Sequence, residues 1–97
     1  MYIEIDKKSY ASLEDAQPNF TAATRVVVRY CDALISLDAP LATSVDVRYC
    51  DALISLDAPL AASVDVRHCD ALTSLNAPLA ARVVVWDCGA VRTRRGA

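Results

Sequence analysis

Valines alternate with outward positions in four short stretches: Val26-x-Val28, Val45-x-Val47, Val64-x-Val66 and Val83-x-Val85. A period of two in β-branched residues predicts short strands with one buried face. Behind each of the first three comes a cysteine and then two leucines: Leu34 and Leu37, Leu53 and Leu56, Leu72 and Leu75. Each unit closes on Asp/Asn-Ala-Pro-Leu-Ala, where the proline fixes φ and ends regular pairing. The spacing is constant. Cys31, Cys50, Cys69 and Cys88 lie 19 apart (50−31, 69−50, 88−69), as do Pro40, Pro59 and Pro78. Tyr49–Ala61 copies Tyr30–Ala42 without a change.

A fixed period of about 20 residues marks a solenoid, in which each repeat is one coil stacked on the last. The coils read Val26–Ser44, Val45–Ser63, Val64–Arg82 and Val83 onward. The expected fold is therefore mainly β, a repeat solenoid with strands near residues 2–6, 26–30, 45–49, 64–68 and 83–87. These strands are expected to run roughly parallel in one sheet. No coil has room for a full helix, so the returns should be extended or 3₁₀.

The chain divides into an N-terminal cap (1–25), four 19-residue repeats with the last one partial (26–91), and a basic tail (92–97). In the cap, Tyr2–Asp6 alternates like a strand, with Ile3 and Ile5 inward. Ser9–Ala16 reads as a short helix with Ser9 as N-cap, and Phe20 is placed to plug the end of the core. At the other end Gly89 stands where the siblings carry an aspartate, and Arg92, Arg94 and Arg95 suggest a solvated end.

Hydrophobic residues make up 55% of the chain but aromatics only 6%, so the core must be built from Val, Leu, Ile and Ala. That is too apolar for disorder. Apolar runs of three or four residues, such as Val26–Val28, cannot span a bilayer. A formal net charge of −2 gives no bulk attraction to nucleic acid or anionic membrane. The N-terminus has no signal-peptide pattern, which points to the cytoplasm. The cysteines occupy one equivalent site in successive coils, so their side chains point the same way, and a column of free buried thiols is expected. Without a Cys-x-x-Cys pair, and with His68 the one histidine, no zinc site is expected. The rows Asp32/Asp51/Asp70 and Asp38/Asp57/Asn76 sit at turns, where capping of backbone amides outweighs a calcium reading. No cofactor is implied.

Written as Ala61-x-x-Val64-x-Val66-x-x-Cys69-x-x-Leu72, the repeat resembles the LxxLxLxxCxxL segment of leucine-rich repeats. The resemblance covers Ala42 to about Val91, and Thr73–Leu79 is similar to the short variable segments of bacterial members. Alanine replaces the first leucine and valine the strand leucines. The resemblance implies an inward cysteine bonded to backbone groups of the turn, and a binding face made by the outward strand residues.

That face carries whatever function the chain has. Its rows read Val27, Asp46, Asp65, Val84; then Arg29, Arg48, Arg67, Trp86; then Tyr30, Tyr49, His68, Asp87. One reading is a solvated face with internal ion pairing. The other is a patch of Arg, Tyr and Trp, the types enriched at interface hot spots. The candidate partner-binding residues are Arg29, Tyr30, Asp46, Arg48, Tyr49, Asp65, Arg67 and His68. A Cys69–His68 nucleophile pair is set aside, because strand neighbours point to opposite faces. The chain therefore reads as a non-enzymatic protein-interaction module. The alternative is a self-assembling unit, dimer or fibre, in which Val84 and Trp86 mark an uncapped C-terminal edge.

Overall fold

The computed structural model describes residues 1–88 and the backbone of residues 92–95. It is a mainly β solenoid of about three turns with 19-residue coils and one short helix near the N-terminus. The predicted strands are β3 (Arg25–Arg29), β5 (Ser44–Arg48), β7 (Ser63–Arg67) and β9 (Arg82–Trp86). They pair in parallel in one register, so Val45 faces Val64 and Val64 faces Val83, each 19 residues on.

The returns are extended, as expected, and they form a second wall. In them β4 (Ser36–Asp38), β6 (Ser55–Asp57) and β8 (Ser74–Ala77) stack in parallel. Leu37, Leu56 and Leu75 point inward from these strands, and Leu34, Leu53 and Leu72 do so from the preceding turns. The prolines follow at the next corner, where buried Ala39, Ala58 and Ala77 and then Ala42, Ala61 and Ala80 let the walls approach. One continuous core runs from Ile3 to Ala80, without a buried polar or charged residue among those described.

Four expectations need correction. First, β1 (Tyr2–Ile5) supplies the first rung with Ile3 and Ile5 buried, but it runs antiparallel to β3. A parallel neighbour needs a long crossover, whereas β1 turns back at once into β2 (Lys8–Tyr10). Asp6 and Lys7 make that turn with φ of 51° and 71°, the two positive values of a type I′ hairpin. The Asp6 carboxylate then accepts from the Thr24 and Arg25 amides (3.0 and 2.8 Å), which ties the hairpin to the start of β3.

Second, Ser9 lies in β2 and caps nothing. The helix α1 is only Leu13–Ala16, and Ser12 caps it by accepting from the Asp15 amide at 3.2 Å. A 3₁₀ turn over Gln17–Ala22 follows, and its Phe20 is buried in the end of the core as anticipated. Third, Arg92–Arg95 is not an irregular end. It forms β10, which pairs in parallel with β8, Arg94 beside Asn76, so the fourth coil gains a second wall. Residues 96–97 and the expectation attached to Gly89 lie outside the described residues.

Fourth, the aspartates do not cap the turns after the cysteines. Those turns close through the backbone, Leu53 N–H to the Cys50 carbonyl and Leu72 N–H to that of Cys69, both 3.2 Å. Among the described residues no hydrogen bond joins Asp32, Asp51 or Asp70 to a turn amide. In the other row, Asn76 Nδ2 donates to Asp57 Oδ1 at 2.8 Å.

The cysteines are all free, with Cys31, Cys50 and Cys69 buried and Cys88 half-buried on the last rung. Two of the inward sulfurs find a weak acceptor: Cys50 Sγ donates to the Arg48 carbonyl at 3.4 Å, and Cys69 Sγ to that of Arg67 at 3.4 Å. A hydrogen shared with Cys69, and then burial, push the Cys50 thiol up. The same sharing draws Cys69 down to about 7. The charges acting on Cys69 are those of Asp51 and Asp70, which raise a thiol, as burial does.

Candidate partner-binding face

Strand alternation aims Asp46, Arg48, Asp65 and Arg67 away from the core while Val45, Val47, Val64 and Val66 fill it. The parallel register sets Asp46 beside Asp65 and Arg29 beside Arg48 beside Arg67. Like charges so placed repel, and the structure relieves them diagonally. Arg29 reaches Asp46 at 3.4 Å, and Arg48 holds both Asp46 (3.1 Å) and Asp65 (3.6 Å). Arg67 closes the chain on Asp65 through two hydrogen bonds of 2.9 and 3.2 Å. The result is a zigzag of alternating sign along the sheet. Pairing with Asp65 holds the Arg67 guanidinium above its ordinary value.

A second column runs beside the ladder. Tyr30, Tyr49, His68 and Asp87 each leave their strand with φ between 53° and 58°. A left-handed residue breaks the period of two, so the arginine and the next residue can both face out while the cysteine turns in. Bulky residues pay for φ > 0 at roughly 1–2 kcal/mol each. Ring stacking works against that cost: Tyr30 lies 4.9 Å from Tyr49 at 4°, and Tyr49 lies 4.6 Å from His68 at 11°. Such pairs contribute about 0.5–1.5 kcal/mol. The amides of Tyr30, Tyr49 and His68 donate to the next coil's carbonyl at 3.0 Å. Trp86 extends the column, 5.4 Å from His68 and tilted, with Arg67 over its ring at 5.7 Å. His68 Nδ1 lies 2.7 Å from Asp87.

All eight residues expected on the face are on one surface. They differ in availability. Asp46, Arg48, Asp65 and Arg67 are half-buried and tied to each other, whereas Tyr30 is 59% and Trp86 58% exposed. Val27 shares their row, yet it is only 6% exposed, set between Glu4 and Asp46 by the register. Val84 is half-buried.

Sequence reasoning missed two features. The β1 strand extends the face, with Tyr2 beside Arg29 and Glu4 beside Val27, and the Tyr2 hydroxyl donates to Glu4. Leu41, Leu60 and Leu79 form a column at the proline corner, 55%, 48% and 65% exposed. The signal for it was present: the alanines on either side of each Pro-Leu are the small inward residues, which leaves the leucine outside.

Among the described residues no cluster of His, Cys, Asp or Glu could hold a metal ion, and no helix is long and apolar enough to cross a membrane. Comparison with known protein families, curated proteins and solved structures found no match.

Proposed function

We infer that this chain is a non-enzymatic interaction module of leucine-rich-repeat type, which binds another protein through its outward strand face and works in the cytoplasm. One observation carries the reading: an aromatic column, Tyr30–Tyr49–His68–Trp86, exposed at Tyr30, Tyr49 and Trp86, lies beside charges already paired within the chain. Rigid aromatic rings offer contact area at low entropic cost, and Tyr, Trp and Arg dominate interface hot spots. The ladder keeps its own partners on docking, so its charges need not be buried unpaired. The inward cysteine bonded to a strand carbonyl supports the family reading. A column of free core thiols suits a reducing compartment.

Photo-crosslinking tests the site. p-Benzoyl-phenylalanine at position 49, irradiated in a cytosolic extract, should give discrete adducts that excess unlabelled chain removes. Tyr30→Ala with Arg48→Ala in the labelled chain should abolish them. The same probe at Ile54, exposed beside the second wall, should give none. Equal labelling from both positions would refute the assignment.

A further inference from the structure

The solenoid's last rung is unlike its siblings in what it leaves open. In the six-stranded sheet β9 is the end strand, so among the described residues no strand pairs with its outer edge. Its inward Val85 is 37% exposed, whereas the equivalent Val47 and Val66 are 0% exposed. Where β5 and β7 carry Asp and Arg, β9 carries Val84 and Trp86. Exposed edges are commonly blunted with charge against pairing, and here charge has been removed from the middle of the strand.

What remains is self-complementary. The segment reads Arg82-Val83-Val84-Val85-Trp86-Asp87, cationic at one end, anionic at the other and apolar between. We propose that β9 pairs antiparallel with β9 of a second copy about a two-fold axis through Val84, joining two six-stranded sheets into one. Inward valines can face only inward valines, so paired residue numbers must sum to an even value. The sum 168 is the one that overlaps all of Arg82–Trp86. It sets Val84 against Val84, Val83 against Val85, and Arg82 against Trp86 of the other copy.

The register also satisfies charge. Arg82 lies over a Trp86 ring, a contact Arg67 already makes within the chain at 5.7 Å. The exposed Asp87 carboxylate follows one residue beyond, next to the same Arg82. Burying the Val83 and Val85 pairs continues the core across the axis. The contact is therefore carried by β9. A closed isologous contact also ends growth at two chains.

Because residue 84 meets itself on the axis, like charges placed there must repel and opposite charges must attract. Light scattering across a hundredfold concentration range should give a dimer mass for the unmodified chain. Val84→Asp and Val84→Lys chains should each run as monomers, with dissociation at least tenfold weaker. An equimolar mixture of the two should recover the dimer, as a heterodimer. Circular dichroism of each variant checks that the sheet is intact. An unmodified monomer at the highest concentration, a mixture that stays monomeric, or masses growing beyond two chains would each overturn the proposal.

Discussion

Leu53→Ala is the perturbation that most clearly separates a stacked coil from any other use of these leucines. Leu53 is fully buried, in a column with Leu34 and Leu72 that is closed on both sides by neighbouring coils. A void there cannot be filled by one coil collapsing, because each wall is pinned in parallel register to the next. The loss should thus fall in the middle of the Leu→Ala range, about 3 kcal/mol. With a urea m-value of about 1.5 kcal/mol/M, the midpoint should drop by roughly 2 M. Far-ultraviolet circular dichroism follows the transition. Leu60→Ala is the internal control, since Leu60 is 48% exposed at the proline corner of the same coil. It should cost well under about 1 kcal/mol. Equal losses at the two leucines, or a loss at Leu53 below about 1 kcal/mol, would refute the assignment of inward and outward positions.

Three further outcomes are expected. At position 49, held at φ 55°, glycine removes the left-handed cost that alanine keeps, so Tyr49→Gly should be more stable than Tyr49→Ala by about 1 kcal/mol; the reverse order in urea titration would contradict the turn. Thiol titration should find Cys88 reacting first, since it is half-buried, and Cys31, Cys50 and Cys69 reacting only on unfolding; four equal rates would show that the column is open. The Cys50 thiol is raised in the folded chain and returns to about 8.5 on unfolding. The unfolded state then loses the proton first, so the stability this thiol contributes is present below that pH and is lost as pH rises through the window above it. Cys50→Ala should flatten the alkaline fall in melting temperature, and an unchanged slope would exclude the thiol as its source.

The period of 19 and the valine alternation made the first wall legible down to its register, because a side-chain period of two inside a fixed repeat leaves no freedom of phase. The second wall was readable only as extended chain: three-residue strands such as Ser55–Asp57 carry too few positions to show alternation. The antiparallel β1 was hidden because direction depends on the connection, and the Asp6-Lys7 turn lacks the glycine that would announce a hairpin. Likewise, Tyr30 and Tyr49 in left-handed conformation defy residue preference, and only the stacked ring beside each accounts for them. The face itself was legible as three rows. What could not be read was which charges would spend themselves on each other, because that depends on diagonal distances between strands.

Nuclear Overhauser spectroscopy on the labelled chain tests the stacked-coil account most directly. It predicts contacts between residues 19 apart: Val45 with Val64, Leu56 with Leu75, and ring to ring between Tyr30 and Tyr49. Cross-peaks confined to residues three or four apart, with none at 19, would contradict it.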